Sequence, residues 1–165
     1  MRACILFAAG LAVGLTVQTV VAQNAQSMSP NQGLIGLNHV GIAVPNLNEA
    51  VAYYTKTLGF PEAFRSLDEK GQPRLVYVHI TRDTFVELQP GDPQGPAMIN
   101  HLGVRVEKMQ PVIDMFRKRG VNVSDSRVSP TKAVLSNITD PNMIRIELGE
   151  LVPDSQHYQA IQRFH

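Results

Sequence analysis

The sequence is poor in cysteine, in tryptophan and in charge. Its 165 residues include one cysteine, Cys4, no tryptophan and 18% charged residues, with a formal net charge of +1. It has no basic tract that could follow a phosphate backbone, no Walker loop and no GxGxxG motif, so a nucleic-acid or nucleotide partner is disfavoured. Hydrophobic residues make up 44% of the chain, which is enough for the core of one compact domain.

The first 22 residues are typical of a secretory signal peptide. Arg2 precedes a largely apolar run over residues 5–17, and the sequence VVA at 20–22 offers small residues to a signal peptidase. Cleavage after residue 22 predicts a secreted or periplasmic protein without further membrane contact. A retained membrane anchor over residues 3–22 is the alternative. Residues 23–33 are polar and predict a flexible lead-in.

Two stretches of the chain are nearly the same. Residues 37–44 read LNHVGIAV and residues 99–106 read INHLGVRV. Each copy is followed by an amphipathic helical pattern and later by a strand that carries one glutamate. The histidine and the glutamate are 48 positions apart in the first copy and 46 in the second. The repeat therefore supplies one histidine and one glutamate per copy, namely His39 and Glu87, then His101 and Glu147.

The repeat predicts two βαβββ modules, at residues 34–90 and 97–150, joined by a link rich in proline and glycine. In the first module we expect a helix that Asn46 or Asn48 caps and that ends at Gly59. In the second we expect a helix that ends at Gly120 and strands near residues 121–124, 132–138 and 143–149. Residues 151–165 are predicted to be a tail or a short helix.

Strand alternation places the repeated histidines and glutamates on one side of the sheet. Side chains along a strand point alternately to opposite faces, and all four residues lie opposite continuous apolar faces of the kind that pack under a helix. The small neighbours Gly41, Ala43 and Gly103 are predicted to leave room for a ligand there. The alternative is that each of the four residues has a separate structural role. However, burial of a carboxylate without a cation is unfavourable in free energy.

The chemistry of these residues predicts a metal site. If the first 22 residues are removed, no cysteine remains, so the ligands must be nitrogen and oxygen atoms. A site of two histidines and two carboxylates suits Ni, Co, Fe, Mn or Zn and leaves positions open for two substrate oxygens. We therefore expect one divalent ion, held by His39, Glu87, His101 and Glu147.

Further residues are weaker candidates for the same cup. Arg105 and Arg145 share faces with predicted ligands and are expected either to bind an anionic substrate group or to form salt bridges at the rim. Tyr77 and His79 share one strand face and are predicted to line the cup. His157 and His165 are expected to be solvated, with closure of His157 over the cup as the alternative. Three aromatic residues are predicted to be core residues of the helices: Tyr53, Tyr54 and Phe116.

Together the repeated NHVGIAV and NHLGVRV strands and the final DPN turn before IRIEL resemble the vicinal oxygen chelate superfamily. The resemblance covers residues 34–149 and includes glyoxalase I, bleomycin-resistance proteins, methylmalonyl-CoA epimerase and extradiol dioxygenases. It implies an α+β fold in which two βαβββ modules form an open, cup-shaped mixed sheet with helices on its outer face. It also implies a divalent metal, a small-molecule substrate and a homodimer.

Carried over residue by residue, the resemblance matches the four predicted ligands to the metal ligands of glyoxalase I. Extradiol dioxygenases typically use two histidines and one glutamate, so the fourth ligand, Glu87, favours a glyoxalase I-like lyase or isomerase. In that class a glutamate moves a proton next to a carbonyl, which would make Glu147 or Glu87 the catalytic base. An iron-dependent ring-cleaving dioxygenase and a non-catalytic binding or resistance protein are the alternatives.

Overall fold

The computed structural model describes residues 31–165, and the predicted signal peptide lies outside these residues. The described chain forms one eight-stranded mixed sheet, curled into a half-barrel, and three α-helices. The α+β fold expected from the sequence is confirmed. None of the helices in residues 31–165 is long and apolar enough to cross a membrane.

The elements follow the predicted order of strand, helix and three strands, twice. The first module contains β1 (Leu34–Val44), α1 (Leu47–Ala52), β2 (Glu62–Leu67), β3 (Pro73–His79) and β4 (Phe85–Pro90), and a π-helical turn (Tyr53–Thr57) continues α1. The second contains β5 (Met98–Val106), α2 (Met109–Lys118), β6 (Arg127–Val128), β7 (Val134–Thr139) and β8 (Arg145–Glu150), and α3 (Gln156–Arg163) follows it.

The two modules join at the middle of the sheet. The strand order is β2-β3-β4-β1-β5-β8-β7-β6, so β1 and β5 are the central pair and run antiparallel. Each of them pairs in parallel with the last strand of its own module, β1 with β4 and β5 with β8. The four strands that carry the predicted ligands therefore lie side by side.

Two apolar cores lie between the sheet and the first two helices. α1 begins at Asn46, whose side-chain oxygen accepts a hydrogen bond from the backbone N–H of Glu49. This helix packs on the first core, and α2 packs on the second with Met109, Val112 and Ile113. The apolar faces predicted from strand alternation are thus the ones covered by helices. Tyr53 was expected in the core but is 54% exposed, and Tyr54 and Phe116 are half-buried.

The prediction of a strand near residues 121–124 is wrong. This segment makes only an isolated bridge between Val123 and Ile138, and the edge strand is the two-residue β6 further along the chain. Beside this bridge the N–H of Ser124 donates to the carbonyl of Asn137, but the N–H of Asn137 donates to the Ser124 hydroxyl and not to its carbonyl. The Ser124 carbonyl accepts from the hydroxyl of Ser136, so side chains replace part of the strand ladder.

The third helix, α3, packs on the other face of the sheet. Ser155 caps it by accepting a hydrogen bond from the N–H of Tyr158. Its apolar residues Ala160 and Ile161 join Tyr77 and Phe85 in a third buried cluster. Tyr77 and Phe85 alternate with the residues that pack under α1, so they belong to the concave face. One end of the cup is therefore covered by the C-terminal helix.

Candidate metal centre

Four buried side chains converge at the centre of the concave face. His39, Glu87, His101 and Glu147 each offer one nitrogen or oxygen atom, and these atoms all lie within 4.8 Å of one another. They come from β1, β4, β5 and β8, the four central strands. All four are at most 7% exposed. The structure thus brings together the four residues that the sequence repeat singled out.

The separations of these atoms fit the coordination of one metal ion. The two histidine Nε2 atoms are 2.9 Å apart, His39 Nε2 lies 3.5 Å from an oxygen of each glutamate, and His101 Nε2 lies 3.4 Å from Glu87. Two ligands bound about 2.0–2.1 Å from one ion at right or tetrahedral angles would be about 2.9–3.4 Å apart. The donor set also has the two imidazoles and two carboxylates that divalent transition metals accept.

The asparagine before each histidine orients the ring. His39 Nδ1 lies 3.1 Å from the side-chain oxygen of Asn38, and His101 Nδ1 is bonded in the same way to Asn100. If each Nδ1 donates its proton to that oxygen, each Nε2 is left with a lone pair that faces the centre. Two such lone pairs 2.9 Å apart require a proton or a cation between them.

Each histidine ring lies over a glycine of the other module. In the β1–β5 ladder His39 is opposite Gly103, and His101 is opposite Gly41. A Cβ atom at either glycine would overlap the imidazole of the facing histidine. The space that the sequence predicted for a ligand is therefore occupied by the histidines themselves. The repeated NHxG pattern is explained by this reciprocal packing.

Glu87 is held as a carboxylate by its neighbours. Tyr77 on β3 donates a hydrogen bond to Glu87 Oε2, as expected for a residue that lines the cup. Burial raises the pKa of Glu87, but the hydrogen bond with His101, the charge of His39 and the Tyr77 hydroxyl outweigh it and lower the pKa to about 2. Burial and the nearby carboxylates raise the pKa of Tyr77 well above its usual value, so this hydroxyl stays protonated.

Glu147 is held more loosely. Its nearest ionic partners are His39 Nε2 and the guanidinium of Arg145, each 3.5 Å away. Arg145 also lies 2.7 Å from His101 Nδ1 and donates to Asn100 Oδ1 at 3.3 Å. The arginine predicted to face the cup is therefore in contact with two of the candidate ligands and with the asparagine that orients His101.

A cavity of about 480 Å³ opens beside the four residues. Glu87 and Glu147 line it at the centre, together with Tyr77 and Arg145. Its remaining lining includes two further arginines and buried hydroxyl groups from β2 and from the segment after β6. A volume of this size suits a small molecule, which would lie beside the four candidate ligands.

Two weaker candidates lie away from this cavity. His79 shares a strand face with Tyr77, but its Nδ1 is 3.1 Å from the carbonyl of Thr81, and its ring packs against Phe85 and Phe164. Burial lowers its pKa. Arg105 forms a rim salt bridge with Asp83 at 3.7 Å. Neither is among the residues that line the cavity.

His157 was expected to be solvated, and this expectation is wrong. The side chain is 3% exposed, lines the cavity, and packs edge-on against Phe64 and Tyr77. Burial and the charge of His39 lower its pKa to about 3 despite the nearby Glu87. Its spacing with Ala160 and Ile161 is the signal that could have predicted this, since residues at i, i+3 and i+4 share one helix face. His165 at the chain end is exposed, as expected.

The fold and the four converging side chains define a paired βαβββ protein with a candidate metal site. Residues 36–148 match the family model of the Glyoxalase/Bleomycin resistance protein/Dioxygenase superfamily. The chain belongs to this superfamily, as its resemblance to vicinal oxygen chelate proteins predicted. A search of curated protein sequences gives no significant match.

Solved structures with this fold include epimerases and a dioxygenase. Methylmalonyl-CoA epimerase from Mycobacterium tuberculosis aligns with a TM-score of 0.66 and 22% identity over 78% of this chain and 96% of its own. The Streptomyces coelicolor epimerase aligns with a TM-score of 0.60 and 19% identity over 71% and 97%. A halotolerant catechol dioxygenase aligns with a TM-score of 0.54 and 25% identity over 70% and 40%.

Proposed function

We propose that the protein is a metal-dependent lyase or isomerase of the glyoxalase I type that acts on a small oxygenated molecule. The observation that carries the proposal is the convergence of two histidines and two glutamates within 4.8 Å on the concave face. The family typically uses a divalent metal, and its members with this fold include enzymes. The fourth ligand, Glu87, favours this class over one that needs only two histidines and one glutamate.

In this proposal His39, Glu87, His101 and Glu147 hold one divalent ion, of Ni, Co, Fe, Mn or Zn. When bound, the ion would act as a Lewis acid toward two oxygens of the substrate and stabilise the negative charge that develops there. With each Nδ1 protonated, Asn38 and Asn100 would accept the Nδ1 protons and keep the imidazoles oriented with Nε2 toward the ion. The rings of Phe64 and Tyr77 pack around His157 on this side of the cavity.

The two glutamates suit different roles. Glu87 is fixed by the hydrogen bond that Tyr77 donates to its Oε2. Glu147 has no such partner on its neighbouring strand and lines the cavity beside Arg145. We therefore assign the proton transfer next to the substrate carbonyl to Glu147. General-base catalysis of this kind contributes about 10²–10⁴-fold to a rate.

Two further parts of the proposal concern where the protein works and in what form. The N-terminal pattern of Arg2, an apolar run and VVA at 20–22 supports export to the periplasm or the exterior. The family resemblance supports a homodimer. Cleavage is tested by N-terminal sequencing of the exported protein, where residue 23 as the first residue is expected. A mass of one chain in solution would contradict the dimer.

A ring-cleaving dioxygenase is the second candidate. The similarity to a catechol dioxygenase favours it, and two histidines with one carboxylate form the facial set that non-haem iron enzymes use. In this case Fe(II) would be the required metal, and oxygen would be consumed with a catechol.

The test begins with the metal content of the protein purified without chelators. About one transition-metal ion per chain is expected, and it should be lost in the double variant His39→Ala/His101→Ala with the fold retained by circular dichroism. The loaded protein is then given small hydroxy-carbonyl compounds in D₂O, and deuterium at the carbon next to the carbonyl is measured. Exchange supports the lyase or isomerase. Oxygen uptake with catechols and no exchange would support the dioxygenase, and no metal uptake at all would leave a non-catalytic binding protein.

A further inference from the structure

The cavity beside the four candidate ligands would carry a net positive charge once a divalent ion is bound. Besides Glu87 and Glu147 it is lined by Asp68 and by three arginines, Arg74, Arg127 and Arg145. The negative charges of the three carboxylates and the positive charges of the three guanidiniums cancel. A divalent ion held by the four ligands would therefore leave the loaded cavity with a net charge of about +2, from the formal charges at neutral pH, and such a cavity attracts an anion.

The position of Arg127 suits the binding of such an anion. It is opposite Leu135 in the β6–β7 ladder, and Leu135 lines the same cavity. Two residues on from Leu135, Asn137 is opposite Glu147, so Arg127 lies on the face that carries the candidate ligand. Arg145 is already bonded to the ligand cluster. The guanidinium of Arg127, in contrast, has no ion-pair or hydrogen-bond partner within residues 31–165.

Other polar groups around the cavity also lack partners. The side-chain nitrogen of Gln89 and both ring nitrogens of His157 are buried without a hydrogen-bond partner among the described residues, and both residues line the cavity. Buried polar groups in proteins are nearly always bonded to protein or to an ordered molecule. These unbonded nitrogen atoms therefore belong to residues that line the same cavity as the three arginines.

We propose that this cavity takes a substrate with a carboxylate in addition to its two chelating oxygens, and that Arg127 binds that carboxylate. The inference rests on the proposed function, because the chelating oxygens are placed by the metal. It narrows the substrate from any small oxygenated molecule to an anionic one. Arg127 would then select the substrate without taking part in proton transfer.

The test compares two probes that share the same pair of adjacent oxygens. Catechol has no carboxylate, and 3,4-dihydroxybenzoate is the same molecule with one. Both are titrated by calorimetry into Zn²⁺-loaded protein, because zinc has no redox chemistry and leaves the probes intact. We expect 3,4-dihydroxybenzoate to bind about tenfold more tightly or better, which is within the range of a charge-assisted hydrogen bond, and the difference to shrink in high salt.

The variant Arg127→Gln should remove this preference and leave catechol affinity unchanged, while Arg127→Lys should retain part of it. Arg163→Gln is the matched control, since Arg163 is an exposed arginine that does not line the cavity, and it should change neither affinity. Zinc content is measured in every sample. Equal affinities for both probes, a preference that survives in Arg127→Gln, or no binding of either probe despite bound zinc would overturn this inference alone. Absence of zinc uptake would overturn it together with the proposed function.

Discussion

The two modules provide the same pair of candidate ligands, but the residues that surround the glutamate differ between them. On β3, Tyr77 is opposite Glu87 and donates a hydrogen bond to it. At the equivalent position on β7, Asn137 is opposite Glu147, and its side-chain oxygen has no partner among the described residues. The histidines, in contrast, share two contacts, because each lies beside the side-chain oxygen of the preceding asparagine and packs over the other module's glycine. The repeat thus preserves the four candidate ligands, while the adjacent strands give the two glutamates different surroundings.

The largest difference between the two modules is expected when each glutamate is neutralised in turn. Glu87→Gln should lose metal, and excess metal ion should restore much of its activity. Glu147→Gln should lose activity by about 10²–10⁴-fold, and excess metal should not restore it, because the base is gone. Metal per chain by elemental analysis and the rate as a function of metal concentration check this. If excess metal rescues both variants or neither, the division of roles is wrong.

The reciprocal packing of histidines and glycines predicts equal effects in the two modules. Gly41→Ala and Gly103→Ala should each lower the free energy of unfolding by about 1–3 kcal/mol, the range for overpacked sites, and weaken metal binding, since the new methyl group displaces an imidazole. The control is Gly149→Ala on β8, where a Cβ would lie 3.7 Å from its nearest neighbour. Urea denaturation and metal content are the measurements. A large effect at only one of the two positions would contradict the symmetry.

The hydrogen bond from Tyr77 can be removed without changing the size of the ring. Tyr77→Phe should cost about 1–2 kcal/mol in the metal-free protein near neutral pH, and Asn137→Ala, at the equivalent position, should cost less. The pKa of Glu87 is lowered from 4.5 to about 2. Its stabilising contribution is therefore present above pH 4.5 and lost as the pH falls toward 2. In Tyr77→Phe the pKa rises, so this acid-dependent loss should be smaller. Denaturant titrations between pH 2 and 6 measure it.

The C-terminal helix adds an asymmetry of its own, because it packs on the first module. His157 has its pKa lowered from 6.5 to about 3. Between these values the unfolded chain binds a proton that the folded chain does not, so His157 destabilises the fold increasingly as the pH falls below 6.5. His157→Phe should remove this loss, which is on the order of 1 kcal/mol at pH 5.5 by proton linkage. An unchanged pH dependence of unfolding in metal-free protein would show that His157 is protonated in the folded state.

Much of the fold and of the candidate site could be predicted from the sequence. The duplicated NHxG strands and the period-two alternation identified both modules and the face that carries the four polar side chains. Local signals failed where side chains compete with the backbone, as at Ser124, whose hydrogen bonds replace part of the expected strand. They also failed for Tyr53, which begins the turn that continues α1 and is 54% exposed.

The sequence by itself determined which residues could be ligands, because the type, spacing and alternation of His39, Glu87, His101 and Glu147 are local properties of the strands. Tertiary structure decided how they are held. The antiparallel β1–β5 pairing places each histidine over the other module's glycine, and the β3–β4 register brings Tyr77 to Glu87. The docking of α3 buries His157 in the cup. These arrangements depend on contacts between residues far apart in the chain, and such contacts are set by the packing of whole elements and have no local pattern.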